Sequence, residues 1–229
     1  MNKFPSTPHL TNLGSNPIRG DKVMTEPERN EFLRHYITIE EKIDGANLGI
    51  SFDEHGEILL QNRGNYLNFP YLRQWKKLPS WIEKRMDKLF DILSNRYIMY
   101  GEWCYAKHSI TYSLLSDWFI CFDLYDKKEN KFLSSVRRNT LLIGSGIESI
   151  VELSSGYFSL PNLVQLLSTS YYSNELAEGL YLRVNNDRWL ETRAKLVRPQ
   201  FIQNIEQHWS KQSLKENKIR IKPVKSNNN

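Results

Sequence analysis

Lys42 stands in the run Glu41-Lys42-Ile43-Asp44-Gly45-Ala46-Asn47, between two apolar, strand-like segments, Tyr36 to Glu40 and Leu48 to Phe52. Asp44-Gly45 supplies a turn, which leaves Lys42 pointing into whatever the strands enclose. A turn has no packing need for a lysine. The ammonium is strongly hydrated, and Asn, Asp or Gly serve a turn better. A lysine amine becomes a good nucleophile once desolvation or neighbouring cations lower its pKa. The expected chemistry is covalent catalysis at Lys42, with a pKa below that of an ordinary lysine.

Further charged and aromatic residues stand at or near the ends of other strand-like runs. Arg63 follows Leu59-Leu60-Gln61-Asn62, and Glu102 ends Ile98-Met99-Tyr100-Gly101. Phe122-Asp123 lies within Ile120 to Leu124, Glu178-Gly179 opens Leu180-Tyr181-Leu182-Arg183, and Arg193-Ala194-Lys195 follows Trp189-Leu190. Each has a bland reading: Arg63 as a solvated charge, Phe122 as core, Glu178 with Arg183 as a weak surface ion pair, Arg193 and Lys195 as a basic stripe. Glu102 is odder, because a carboxylate between Gly101 and Trp103 is costly to bury without a partner. Together they are the parts that nucleotidyl transfer needs. Carboxylates hold Mg²⁺ or a ribose, cations neutralise a triphosphate, an aromatic stacks on the base, and an amine attacks. The same cations would depress the pKa of Lys42.

The elements that must position these residues are legible in outline. Residues 1 to 30 are rich in Pro, Asn, Ser and Thr and read as a loop crossing the domain surface. Strands are expected around 36–40, 48–52 and 58–60, the last after a hairpin turn at Asp53-Glu54-His55-Gly56, and again at 97–103, 118–125, 178–184 and 189–196. Residues 80–94 predict one helix with Ser80 as N-cap and Ile82, Met86, Leu89, Phe90 and Leu93 on one face. Short helices are expected at 135–143 and 160–167, and Pro199 opens a last one through about Trp209. The class is α+β with mostly antiparallel strands. There is no regular βαβ alternation and no Gly-rich phosphate loop.

The chain has 229 residues, 40% hydrophobic and 12% aromatic, enough for one domain with a real core. One domain is expected over residues 1–209, followed by a basic, mobile tail: from Lys211 it carries six basic residues and one acidic one. A net charge of +5 favours a polyanionic partner. Cys104 and Cys121 form no Cys-x-x-Cys pair and read as buried small hydrophobes, so a reducing, cytoplasmic setting is expected. No apolar run is long enough for a membrane span, and the polar start Met1-Asn2-Lys3-Phe4-Pro5 is unlike a secretory leader.

Lys42-Ile43-Asp44-Gly45 resembles motif I of the covalent nucleotidyltransferases, the superfamily of DNA ligases, RNA ligases and mRNA capping enzymes. Asn62-Arg63-Gly64 resembles motif Ia, Tyr100-Gly101-Glu102-Trp103 motif III, and Phe119 to Asp123 motif IIIa. Glu178 to Arg183 resembles motif IV and Arg193-Ala194-Lys195-Leu196 motif V. Six motifs in the superfamily's order cover residues 40 to 198. The resemblance implies an antiparallel, ATP-grasp-like ligase core. The position five after the lysine is typically Arg in DNA ligases and capping enzymes; here it is Asn47, which resembles the T4 RNA ligase 2-like branch. Asp44 departs from that branch's His. The strings Lys3 to Leu10, Gly101 to Ile110 and Arg193 to Pro199 resemble a group of small ATP-dependent RNA ligases.

The resemblance implies ATP and Mg²⁺ or Mn²⁺ as cofactors and RNA ends, nicked or single-stranded, as partners. Lys42 would attack the α-phosphorus to form lysyl-AMP, and Lys195 with Arg193 would neutralise the α-phosphate. Glu102 would hold ribose hydroxyls or a metal-bound water, and Glu178 a metal. Arg63 and Asn47 would hold ribose or phosphate, and Phe122 would stack on adenine. Glu41 and Arg183 would complete the nucleotide site, Arg183 replacing a lysine of some relatives. About thirty residues follow motif V, too few for the C-terminal OB barrel of many ligases. The basic tail or a partner protein would then supply the nucleic-acid clamp. The alternatives are a DNA ligase, an adenylyltransferase with another acceptor, or a non-catalytic RNA-end-binding module.

Overall fold

A computed structural model describes residues 1–18, 20–204 and 214–220 of the chain. Its architecture follows from period-two alternation. In the segment Ile37-Thr38-Ile39-Glu40 both isoleucines are fully buried in an apolar layer, while Thr38 and Glu40 face the opposite side.

The helix α1 (Glu26–Phe32) leads into β1 (Ile37–Lys42), β2 (Ala46–Phe52) and β3 (Ile58–Gln61). A 3-10 turn at Arg73–Trp75 and two helices, α2 (Leu78–Glu83) and α3 (Met86–Leu93), precede β4 (Tyr97–Trp103) and β5 (Phe119–Asp126). Then come β6 (Lys131–Phe132), α4 (Ser135–Leu142), β7 (Glu148–Ser149), β8 (Glu152–Gly156) and α5 (Leu160–Gln165). β9 (Gly179–Asn185), β10 (Leu190–Val197) and α6 (Pro199–Asn204) follow. One sheet has the order β10-β9-β1-β8, the other β3-β2-β4-β5-β6 with β7 added in parallel to β5. The other strand pairings are antiparallel. The α+β, antiparallel architecture expected from the sequence is the one present.

Each sheet buries its outer face under helices. On the first, Ile37, Ile39, Leu180, Leu182 and Leu196 pack with Phe32 of α1 and Leu163 of α5. On the second, Leu48, Ile50, Met99 and Trp103 pack with Trp81 and Ile82 of α2 and Leu89 and Leu93 of α3. The inner faces carry the polar residues and are joined by ion pairs between the sheets, such as Arg183 with Asp123 at 2.6 Å.

Several expectations need correction. β1 and β2 form no hairpin: they belong to different sheets, and Lys42 is the last residue of β1, not a turn residue. The link between them is tight, since a Cβ on Gly45 would lie 3.0 Å from the Trp103 carbonyl oxygen and 3.2 Å from Cys104 Sγ. Residues 1–30 are not all loop. Thr25 caps α1 in a reciprocal capping box with Glu28. The helix expected at 80–94 is two helices. The break falls at Lys84-Arg85, where Arg85, with Trp81 Nε1, donates to the buried Asp117 carboxylate. Ser80 lies inside α2, and Phe90 is exposed. β6, β7 and β8 were not anticipated.

The tail is not uniformly loose. Asn217 is 3% exposed, its amide donates to the carbonyls of Cys104 and Ala106, and its oxygen accepts from Tyr112 N. Bridges at Glu216 and Ile219 align this segment beside Ala106 and Leu115. The end of the last helix expected near Trp209 lies outside the described residues. Cys104 and Cys121 are free and buried, as expected.

Candidate active site

Lys42 reaches the cleft from the end of β1, and its ammonium donates to Glu178 at 2.8 Å. The residue paired with Lys42 on β9 is Gly179. A Cβ there would lie 2.3 Å from the Leu196 carbonyl oxygen, so the close approach of β10 excludes a side chain. Glu178, one residue before, supplies the carboxylate. Burial pulls the Lys42 pKa down, but Glu178, Glu102 and Asp44 outweigh it and hold the amine above the ordinary lysine value. The expectation of a depressed pKa is therefore reversed here. Carboxylates, not cations, dominate its surroundings.

Asn47 and Glu102 are direct partners across β2 and β4. Both project into the cleft, and Asn47 Oδ1 and Glu102 Oε2 are buried oxygens with no hydrogen-bond partner among the described residues. Two adjacent unused acceptors are costly unless a ligand supplies donors. Burial pushes the Glu102 carboxyl up to about 8, against the attraction of Lys42.

Phe122 enters the cleft through a β-bulge. The β4–β5 register shifts between Tyr100 and Gly101, so Phe122 has no partner on β4. Cys121 and Leu124 consequently both pack in the outer core, while Phe122 and Asp123 both face inward. The Phe122 ring meets Phe4 edge-on at 5.0 Å.

Lys195 points inward from β10, with Ala194 buried on the other face. Its ammonium donates to Asp21 at 2.5 Å. Asp21 also accepts from the Ser6 hydroxyl, and Arg63 stands 4.0 Å away. Burial raises the Asp21 pKa, but the hydrogen bonds from Lys195 and Ser6 outweigh it and hold the carboxyl below its ordinary range. One carboxylate of the N-terminal segment thus sits between two cations expected to hold phosphate. The buried His9, 3.9 Å from Asp21, is driven by burial and by Lys195 down to about 4 and stays neutral.

Glu41, Lys42, Asn47, Arg63, Glu102, Phe122 and Lys195 line one cavity. Three expected site residues do not. Glu178 meets the cleft through Lys42. Arg183 is fully buried in an ion network, donating to Asp123 at 2.6 Å and to the Leu133 carbonyl, so its charge is spent on joining the sheets. Arg193 faces Asp123 at 3.3 Å and lies 4.6 Å over the Phe4 ring. The Glu41 side chain also turns away, accepting from the Ser170 hydroxyl and from Tyr171 N. Sequence reasoning missed Asp21 as a site residue and gave Phe4 no role in the cleft, and neither carries a local pattern that would mark it.

Among the described residues no cluster of three or more His, Cys, Asp or Glu side chains could hold a metal. Glu178 and Glu102 with Asn47 instead offer the one or two carboxylates and neutral oxygens that suffice for Mg²⁺ or Mn²⁺ when phosphate completes the shell. The orphaned oxygens of Asn47 and Glu102 fit that use. The cavity volume, about 120 Å³, is small beside the roughly 300–1,000 Å³ of ligand sites. Phe4, Pro5 and Thr7 form part of its wall.

A family model described as RNA ligase matches residues 35–197. The chain belongs to the RNA ligase family. This RNA ligase-family chain also resembles solved structures. The Naegleria gruberi RNA ligase, in a mutant form with ATP and Mn, matches with a TM-score of 0.64 and 16% identity over 90% of this chain and 58% of that one. The same organism's RNA ligase with PPi matches with a TM-score of 0.60 and 19% identity over 85% of this chain and 60% of that one. An archaeal ATP-dependent RNA ligase matches with a TM-score of 0.61 and 16% identity over 88% of this chain and 49% of that one. The chain thus spans about three-fifths or less of the length of these structures. No curated protein matches it by sequence.

Proposed function

We propose that this protein is an ATP-dependent RNA ligase that joins 5′-phosphate and 3′-hydroxyl ends through a lysyl-AMP on Lys42. The observation that carries this reading is the Lys42 amine, 2.8 Å from Glu178, in one cavity with the unpartnered oxygens of Asn47 and Glu102. Family membership and the likeness to ligases solved with ATP and Mn support it.

Burial alone drives Lys42 toward the neutral amine, and Glu178, Glu102 and Asp44 oppose it. Withdrawal of the Glu178 charge from the amine therefore releases the nucleophile. Glu178 and Glu102 are the residues that would hold a divalent cation, which supplies positive charge against the phosphates. In the first step the Lys42 ammonium gives up a proton to solvent, its nitrogen forms a bond to the α-phosphorus, and the nitrogen then sheds a second proton to solvent. The bond to the bridging oxygen breaks, and pyrophosphate leaves with the electron pair. Lys195 would neutralise the phosphate once Asp21 gives it up, and Phe122 would stack on the base once Phe4 shifts.

The test is incubation of wild type and Lys42→Ala with α-labelled ATP and Mg²⁺ or Mn²⁺, read on a denaturing gel. Label on wild type alone is expected. An unlabelled wild type with either metal overturns the reading. Comparing RNA, DNA and mixed nicks then identifies the acceptor.

A further inference from the structure

The stretch from Asn62 to Leu78 contains Arg63, Arg73, Lys76 and Lys77 and not one acidic residue. It also contains four aromatic rings, Tyr66, Phe69, Tyr71 and Trp75. Two of these anchor the loop: Tyr71 and Trp75 pack against the core of the second sheet. The Gln74 carbonyl accepts from the Trp103 indole at 2.7 Å, and Leu67 N donates to Leu60 O at 2.8 Å. The other apolar groups are held outward. Phe69 is 84% exposed, Leu72 64% and Tyr66 42%.

A loop anchored this firmly at its base has no folding reason to present a phenyl ring to water. Its position is informative. At one end Arg63 lines the cleft of Lys42; at the other, Trp103 follows Glu102 directly. The loop therefore continues the active cleft outward. Glu216 pairs with Lys76 at 2.9 Å and Asp21 stands 4.0 Å from Arg63, but the loop brings no acid of its own, so it adds net positive charge to this face, which attracts a polyanion. An exposed ring beside such cations is the arrangement that stacks on bases whatever their sequence. The base must be unpaired, since only an unstacked base offers its face to a protruding ring.

We propose that the 62–78 loop is a platform for the RNA strand: Phe69 stacks on an unpaired base of the strand whose end enters the cleft, and Lys77 holds a backbone phosphate. The proposal rests on the reading that this protein acts on RNA ends. Its test keeps the two apart. A dye-labelled, 5′-phosphorylated single-stranded RNA is titrated with wild type, Phe69→Ala, Phe69→Leu, Phe69→Trp and Lys77→Ala, and affinity is read by fluorescence anisotropy. The same proteins are assayed for labelling by α-labelled ATP.

Phe69→Ala and Phe69→Leu are expected to bind RNA about tenfold more weakly, the loss of one base–aromatic stack. Phe69→Trp retains affinity. Lys77→Ala lowers the slope of log affinity against log salt by about 0.7, the single-strand value for one phosphate contact. Labelling is unchanged in all of them. If Phe69→Ala or Phe69→Leu binds RNA as wild type does, the platform is overturned, whether or not the proteins take label; a surface for another protein would give that result. If the affinities fall as stated while wild type takes no label, the platform stands and the ligase reading falls.

Discussion

At Glu102 burial and charge act against each other, and burial wins: the carboxyl stays protonated up to about 8. An unfolded glutamate loses its proton near 4.5. Between those values the native state binds more protons than the unfolded state. Stability therefore falls as pH rises through that window. Glu102→Gln removes the titrating group, so denaturant melts of wild type and variant should diverge from about pH 5 to about pH 8, wild type losing ground. Parallel pH curves would show that Glu102 ionises normally. The sequence marked Glu102 because an isolated carboxylate among aromatics is expensive, and the geometry has that cost. It marked Lys42, Asn47, Arg63, Phe122 and Lys195 as well, and these line the same cavity. It did not mark Asp21, because Asp21 meets Lys195 across 174 positions of chain. Nor did charge alone tell Arg183, which is consumed by Asp123, from Lys195, which reaches the cleft.

Strands with strict alternation were legible, since one face of each is apolar and buried. β4, an apolar run without alternation, also lies at Tyr97–Trp103 as expected. β6 and β7 have two residues each, and β8 is polar throughout most of its length, so no period marks them. The bulge at Phe122 was also invisible, although it decides which way the ring points. It is held by Arg183, whose Nη1 donates to the Phe122 carbonyl at 3.2 Å, and by Arg138 on α4, which is fully buried. Its guanidinium donates to the Phe122 carbonyl and, at 2.6 Å, to Glu40. Truncating one partner of a buried pair strands the other. Arg138→Met should cost about 3–5 kcal/mol in chemical denaturation, and Arg138→Met with Glu40→Gln should recover part of it. A single variant within about 1 kcal/mol of wild type would mean that Arg183, 3.7 Å from Glu40, suffices alone.

On the scale of the whole molecule, residues 214–220 are a strap across the loop that follows β4. A polar, lysine-rich end reads as disordered because it has almost no apolar surface to bury. That criterion overlooks Asn217, whose amide and oxygen satisfy three backbone groups of a buried loop, at Cys104, Ala106 and Tyr112. The consequence reaches the cleft. Tyr112 Oη accepts from Asp44 N at 2.8 Å, and Asp44 is among the charges that act on Lys42. Asn217→Ala leaves those backbone groups without partners, at about 1–3 kcal/mol. For a domain of this size that is a fall in melting temperature of roughly 2–12 °C, read by thermal unfolding of the full chain. Asn217→Asp keeps the acceptor for Tyr112 N and loses both donations, so it should fall at least as far, its buried charge facing two carbonyls. A melting temperature unchanged in Asn217→Ala would mean that water serves the three groups as well as Asn217 does, and that the strap contributes nothing to the loop behind Lys42.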